Sequence, residues 1–355
     1  MSIHPFHHRA ETMPTSPAEL AAFQIPSQPE RGFFDEQAEQ WATVHHLPYP
    51  DDRRTQQDDP YTKEQLFQAA HGSVAVKYAH DPVKYTITIP TDVVHPTAHL
   101  IVPGFGGFKR SSRGLRNAFS LHQSTAAISF EPPRIGNRLH DLFDSQRLHT
   151  DTIDAILNDL PNNVQLRDTA NGNKLDLGSV VLDAHSMGGL SATRYAMAHP
   201  DNVKLLTYLE AVGLEDPRLM RFLPRLLPTI LKDIGPSLRD GEFDEDGNNP
   251  RILLNALHYY ARNPVRTIGE MGSCVSADIR EQVVALGMLG VKRAMLYGGS
   301  DALIPAEPSV TSSGRLVDHC EVMREVGHAG PQTQATRVSA RLAGISRKLI
   351  TVSAA

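Results

Sequence analysis

A serine flanked by small residues stands in a segment whose pattern is typical of a catalytic nucleophile. The segment Ala184-His185-Ser186-Met187-Gly188 follows an apolar run at 180–182 and precedes a helix-like stretch at 190–199. A strand, a tight turn and a helix would hold the Ser186 hydroxyl exposed on a strained bend at the end of a sheet. The residues two places before and after the serine must be small, because the turn crowds them against neighbouring backbone. Ser186 is therefore the first candidate for a nucleophile.

On these residues the chain resembles the α/β-hydrolase family, and the resemblance extends over roughly residues 75–350 by the order of its elements. The family usually has glycine where this chain has Ala184. The alternation of strand-like and helix-like stretches predicts an α/β fold, a mostly parallel sheet flanked by helices on both faces. Active sites of such sheets lie at the carboxyl ends of the strands. The resemblance implies a serine, an acid and a histidine, in that chain order.

A glycine-rich loop precedes the serine, as the resemblance requires. Residues 98–102 predict a buried strand that runs into Pro103-Gly104-Phe105-Gly106-Gly107. The family usually has histidine at the position of Pro103, followed by glycines. By resemblance, the backbone amides of Phe105 and Met187 would form an oxyanion hole, and Gly104 would line the substrate site. Two such donors stabilise the negative charge that develops on the carbonyl oxygen as the serine attacks.

The resemblance also assigns the acid and the histidine. Residues 291–297 predict a strand, and residues 298–305 match the family pattern Gly-x-x-Asp-x-x-x-Pro, which makes Asp301 the acid. Residues 320–323 predict the last strand, after which His328 would take the proton from the serine. Some family members carry the acid at the position of Glu210, after the preceding strand. The fuller pattern favours Asp301 over Glu210 as the residue that orients the histidine.

Composition excludes several classes of function. The chain has 355 residues, a formal net charge of -5 and a sequence pI of about 6.4, so it lacks the basic character of a nucleic-acid-binding protein. It has two cysteines, which are too few for a disulfide framework but leave a single bridge open. We find neither the apolar core of a signal peptide nor an apolar run of membrane-spanning length, and we expect a cytoplasmic protein without a transmembrane segment. The mechanism implied by the resemblance needs no cofactor and no metal.

The chain divides into four predicted parts. Residues 1–70 are a polar N-terminal extension, 71–210 and 278–355 form the two parts of the hydrolase core, and 211–277 form a helical cap. The core is expected to begin with a hairpin of strands at 74–78 and 84–89. The cap is apolar and broken by prolines, and its residues Phe222 and Leu223 are candidates for substrate binding.

Two other residues could take part in chemistry. Asp183 could reach the site from the nucleophile strand, but a hydrogen-bonded residue near the strand end is the better interpretation. Cys274 lacks a histidine in suitable chain order and is better interpreted as a buried, inert thiol.

These features predict a serine hydrolase that cleaves a carboxylic ester through an acyl-enzyme, with a small to medium apolar acyl group as substrate. The same machinery could hydrolyse a thioester, an amide or a carbon–carbon bond, or act as a cofactor-free haloperoxidase. A hypothesis from another class is a catalytically inactive binding protein with this fold. The sequence leaves the physiological substrate and the oligomeric state open.

Overall fold

The computed structural model of the protein describes residues 67–350 apart from 78, 80, 92, 94, 105–111, 134–144, 163–174, 215–269, 271 and 275–276. All described residues fall within the unit Tyr61–Ala355. Most of the predicted N-terminal extension and cap lies outside them, as do Phe105, Phe222 and Leu223. The four-part division of the chain therefore remains a prediction.

Eight strands form one sheet, in the spatial order β1-β2-β4-β3-β5-β6-β7-β8. The strands are β1 (Phe67–Val74), β2 (Val83–Pro90), β3 (His95–Val102), β4 (Thr125–Phe130), β5 (Asp176–His185), β6 (Val203–Leu209), β7 (Lys292–Gly298) and β8 (His319–Met323). β2 pairs antiparallel with β1 and β4, and every other neighbouring pair is parallel. The predicted mostly parallel sheet is confirmed.

Helices connect and cover the parallel strands. They are α1 (Arg113–Gln123), α2 (Ser145–Asp159), α3 (Gly188–Ala198), α4 (Arg280–Met288), α5 (Ala306–Ser313), the short α6 (Gly330–Thr333) and α7 (Ala335–Ile350). None of the helices in the described part of the chain has the length and apolar character needed to cross a membrane.

Both faces of the sheet are buried, as its apolar strands require. On one face, Ile101, Val181 and Leu205 pack into a cluster with residues of α1 and α7. Successive side chains of a strand point to opposite faces, so the neighbouring Leu100 and Leu182 lie on the other face. Both are also fully buried. Helices therefore cover the sheet on both sides, as the α/β pattern predicts.

The opening hairpin differs from its prediction in position. The first strand was expected at 74–78, but β1 spans Phe67–Val74 and pairs with β2 from Phe67↔Pro90 to Val74↔Val83. Residues 75–82 connect the two strands, and Val74 and Val83 are the pair nearest to that connection. The residues that pair with β2 therefore lie before Val74, not after it. Local alternation at 74–78 could not reveal this register, because it depends on which residues face β2.

A buried ionisable pair lies within the core. His99 Nδ1 is 2.6 Å from Asp183 Oδ2, and the Phe119 ring lies 4.4 Å from the His99 ring, centroid to centroid. Neither side chain of the pair is more than 1% exposed. Buried groups of this kind need such a partner, since an unpaired charge in the core is costly. Asp183 is therefore hydrogen-bonded inside β5, in agreement with the interpretation favoured from the sequence.

Candidate active site

The carboxyl ends of five adjacent parallel strands bring the candidate residues to one edge of the sheet. β3, β5, β6, β7 and β8 are neighbours in that order. Gly104 follows β3, Ser186 follows β5, Glu210 follows β6, Asp301 follows β7 and His328 follows β8. Residues separated by up to 224 positions in the chain therefore lie at the same edge of the sheet, because the strands before them are parallel neighbours.

Ser186 occupies a strained turn between β5 and α3. Its φ is +53°, in the left-handed region that residues with a Cβ rarely adopt. The Ser186 amide donates to the carbonyl of Leu209, and the Ser186 carbonyl accepts from the amides of Gly189 and Val212. These bonds to the end of β6 and the start of α3 hold the bend. This is the local geometry that the strand, turn and helix pattern predicts.

The glycine after the bend is required by close packing. A Cβ at Gly188 would lie 2.6 Å from the Val102 carbonyl oxygen and 2.7 Å from that of Pro103. Backbone cannot give way as a flexible side chain could, so any larger residue would push α3 away from β3. The predicted need for a small residue at this position is explained by the end of β3.

Gly104 lies directly against the serine. A Cβ there would be 2.7 Å from Ser186 Cβ and 2.9 Å from the His185 carbonyl oxygen. The end of β3 thus reaches the nucleophile bend, where the resemblance expects the oxyanion loop. Met187, next to Ser186, is buried at the N-terminal end of α3. Within the described part of the chain, its amide donates to no backbone carbonyl.

Ser186, His328 and Asp301 form a continuous hydrogen-bonded chain. His328 Nε2 lies 3.1 Å from Ser186 Oγ, and His328 Nδ1 lies 2.8 Å from Asp301 Oδ2. A carboxylate can only accept, so Nδ1 carries the proton and donates it to Asp301. Nε2 then has a free lone pair that faces the Ser186 hydroxyl. This is the tautomer that a general base needs.

The Asp301 carboxylate is held from its other side by backbone. Its Oδ1 accepts from the amides of Leu303 at 2.7 Å and Ile304 at 2.9 Å. The side chain is fully buried, whereas the His328 ring is 16% exposed. The acid is thus fixed in one orientation, with one oxygen for the two amides and the other for the histidine.

Two further ionisable residues, His185 and Glu210, contact the hydrogen-bonded triad. The sequence pattern indicates only Glu210 for this place, as an alternative acid, and it assigns no role to the His185 side chain. His185 Nε2 is 3.0 Å from the His328 carbonyl oxygen, and the two rings lie 5.0 Å apart, centroid to centroid. Glu210 Oε2 is 3.5 Å from His185 Nε2 and 3.9 Å from His328 Nδ1. Burial, and next the charge of His328, lower the pKa of His185 to about 3. His185 is therefore neutral near neutral pH.

The spacing of these residues also raises the question of a metal site. One potential ligand atom each from His185, Glu210 and His328 lies within 4.8 Å of the others. However, both ring nitrogens that face Glu210 carry a proton, because each donates to an oxygen that can only accept. A metal ligand must instead offer a lone pair. The three residues fit a hydrogen-bonded group better than a ligand set.

The cysteines take no part in this site. Cys274 is buried, and burial raises the pKa of the Cys320 thiol to about 12. A thiol with such a pKa has almost no thiolate at neutral pH, so it is a poor nucleophile. Cys274 is buried as expected from the sequence.

Comparison with known protein families identifies one match for this chain. Residues 100–341 match a family described as Alpha/beta hydrolase family. A sequence search of curated proteins finds no match.

Solved structures with the same fold have diverse activities. An esterase from Thermogutta terrifontis is 17% identical with a TM-score of 0.52, covering 79% of this chain and 100% of its own. A bromoperoxidase from Bacillus anthracis is 15% identical with a TM-score of 0.52, covering 77% and 98%. An enol-lactonase from Burkholderia xenovorans LB400 is 11% identical with a TM-score of 0.51, covering 77% and 98%. The matched segment runs from β3 into α7 and includes more than half of the residues, so the chain belongs to the alpha/beta hydrolase family.

Proposed function

We propose that this protein is a serine hydrolase that cleaves a carboxylic ester through an acyl-enzyme, with Ser186 as nucleophile, His328 as general base and Asp301 as the acid. The observation that carries the proposal is the chain of two hydrogen bonds, 3.1 Å from Ser186 Oγ to His328 Nε2 and 2.8 Å from His328 Nδ1 to Asp301 Oδ2. Membership in a hydrolase family is consistent with it.

Each residue has one task in the proposed reaction. Ser186 Oγ attacks the ester carbonyl carbon while its proton moves to His328 Nε2. The oxyanion accepts hydrogen bonds from the amides of Met187 and Phe105. His328 then returns the proton to the alkoxide that leaves, and Ser186 remains acylated. Water then attacks the acyl carbon while its proton moves to His328 Nε2. The bond from the acyl carbon to Ser186 Oγ breaks, His328 returns the proton to Oγ, and the carboxylic acid is released.

An activity-based probe and one substitution test this proposal. A fluorophosphonate reacts with an activated serine, so wild-type protein should be labelled and Ser186→Ala should not. Hydrolysis of a p-nitrophenyl ester should fall by at least about 10⁴-fold in Ser186→Ala, as for the loss of a triad member. Hydrolysis near the wild-type rate by folded Ser186→Ala protein would contradict the proposal. An unlabelled wild-type protein without esterase activity would favour the inactive binding protein.

The bond type and the acyl group are tested by substrate series. We propose an apolar acyl group because Phe222 and Leu223 belong to an apolar stretch between β6 and the strand that precedes Asp301. In Phe222→Ala, preference should shift toward bulkier acyl groups by a graded factor, since a methylene in a pocket contributes only about 1–3 kcal/mol. Rates on matched oxygen esters and thioesters distinguish ester from thioester hydrolysis. An unchanged chain-length profile in both Phe222→Ala and Leu223→Ala would rule out the pocket role.

A further inference from the structure

A second carboxylate lies beside the proposed triad. Glu210 directly follows β6 with φ +49°, and its amide donates to the Leu296 carbonyl of β7. Its side chain is only 1% exposed. A Cβ at Gly298 would lie 2.5 Å from Glu210 Oε1, so the absence of a side chain at the end of β7 leaves room for the carboxylate. The two strand ends together direct Glu210 toward the histidines.

The Glu210 carboxylate faces two N–H groups. Its Oε2 is 3.5 Å from His185 Nε2 and 3.9 Å from His328 Nδ1. His185 in turn donates from Nε2 to the His328 carbonyl oxygen at 3.0 Å. The catalytic histidine is thus held at its ring by Asp301 and at its backbone by His185. Glu210 Oε2 lies within 4 Å of one ring nitrogen of each imidazole.

We propose that Glu210 and His185 act as positioning residues for His328: His185 fixes the backbone of the histidine loop, and Glu210 supplies a second negative charge that stabilises the imidazolium. The inference rests on the proposed function, since the imidazolium forms only if His328 accepts the proton from Ser186. In this proposal Asp301 remains the acid of the triad, and Glu210 adds a second negative charge near His328.

The charges during the reaction explain why a second carboxylate would help. As the Ser186 oxygen forms its bond to the carbonyl carbon, its proton passes to His328 Nε2 and the ring becomes positive. An opposite charge within about 4–6 Å stabilises the charged form of a titrating group by about one to three pKa units. Asp301 lies within this distance, and so does Glu210. His185 is neutral, so it adds no positive charge that would oppose the imidazolium.

The ionisable groups that face His328 determine which substitutions can test the proposal. Among the described residues they are Asp301 from the loop after β7, Glu210 from the end of β6 and His185 from the end of β5. Glu210→Gln removes the negative charge and keeps the size. The matched control is Glu325→Gln, because Glu325 lies on the same loop as His328 but its side chain is 85% exposed.

The measurement is the pH profile of kcat and KM for a p-nitrophenyl ester. In Glu210→Gln the imidazolium loses stability, so the acid limb should move to lower pH by about one unit and the plateau of kcat should fall about tenfold. KM should stay unchanged, since Glu210 does not touch the substrate. Glu325→Gln should match the wild type in all three quantities. The shift of the acid limb and the fall of kcat in Glu210→Gln should agree in size, because both report the stability of the His328 imidazolium.

An unmoved acid limb in folded, probe-labelled Glu210→Gln protein would overturn the role of the charge, whatever the plateau rate, because a purely structural residue lowers the rate without shifting the limb. If Glu210→Gln does not fold, the pair His185→Gln and His185→Leu tests the proposal. Gln retains an N–H for the His328 carbonyl and should lose less than about tenfold in kcat, whereas Leu should lose about a hundredfold. Equal losses would overturn the role of His185.

Failure of this inference is distinct from failure of the proposed function. If Ser186→Ala keeps wild-type activity, the serine hydrolase proposal itself is wrong. If Ser186 is labelled and essential, but Glu210→Gln behaves like Glu325→Gln, only the second carboxylate is refuted.

Discussion

Replacement of Asp301 by asparagine should inactivate the enzyme through the histidine tautomer. Asp301 Oδ1 accepts from the Leu303 and Ile304 amides at 2.7 and 2.9 Å, and Oδ2 accepts from His328 Nδ1 at 2.8 Å. An asparagine has one oxygen and one NH₂, so only one of these sites can keep its acceptor. The structure decides which.

The two backbone amides should keep the oxygen. If the NH₂ group of the asparagine faced them, two buried donors would lose their acceptor, at about 1–3 kcal/mol each. The NH₂ group therefore faces His328 Nδ1 and donates to it. The imidazole proton must then move to Nε2, where it points at Ser186 and blocks proton transfer. In serine proteases the corresponding change lowers kcat by about 10⁴-fold, which is about 5 kcal/mol of transition-state stabilisation.

The assay is kcat/KM for an activated ester at neutral pH, with thermal unfolding as the control for folding. We expect folded Asp301→Asn protein to retain about 10⁻⁴ of the wild-type kcat/KM, and Glu210→Gln about a tenth. Retention of more than a tenth by Asp301→Asn would refute the tautomer argument. If Glu210→Gln lowers kcat/KM more than Asp301→Asn does, Glu210 is the acid of the triad.

Two further predictions concern stability. Gly188→Ala should destabilise the protein by about 1–3 kcal/mol in denaturant unfolding, because its Cβ would meet the Val102 carbonyl oxygen at 2.6 Å. Gly344→Ala is the matched control, since nothing lies within 4 Å of a Cβ there, and an equal loss in both variants would contradict the packing argument. Burial, and next the charge of His328, lower the pKa of His185 in the folded protein from its ordinary value of 6.5 to about 3. The unfolded chain therefore binds a proton that the folded chain excludes, and acidification from pH 6.5 should lower stability by about 1.4 kcal/mol per unit through this group. His185→Gln should unfold with a shallower pH dependence than the exposed control His122→Gln, and identical slopes would refute the assignment.

Much of the fold and the nucleophile could be predicted because they depend on local pattern. β3, β7 and β8 were each predicted within a few residues of their observed bounds. Continuous apolar runs between turn-forming residues indicate buried parallel strands without knowledge of their partners. β1 was misplaced, since its register depends on the facing residues of β2 rather than on its own alternation.

The sequence by itself determined that a serine occupies a bend between strand and helix, because Ser186 and its small neighbours act through contacts close in the chain. It also determined the order along the chain of the serine, the acid and the histidine, each after a predicted strand. Only the tertiary structure decided which carboxylate meets His328 directly. Asp301 and Glu210 both follow parallel strands at the same edge, yet their oxygens lie 2.8 and 3.9 Å from Nδ1.

That difference arises from long-range packing. Asp301 is fixed by two amides of its own loop, while Glu210 reaches His185 and His328 through the space beside Gly298. The task of His185 was equally hidden, because its partner is a carbonyl oxygen 143 positions away. A sequence pattern records the type of each residue. The distances of 2.8 and 3.9 Å from the two carboxylates to His328 Nδ1 depend instead on how neighbouring strands pair and on how the loops after them pack.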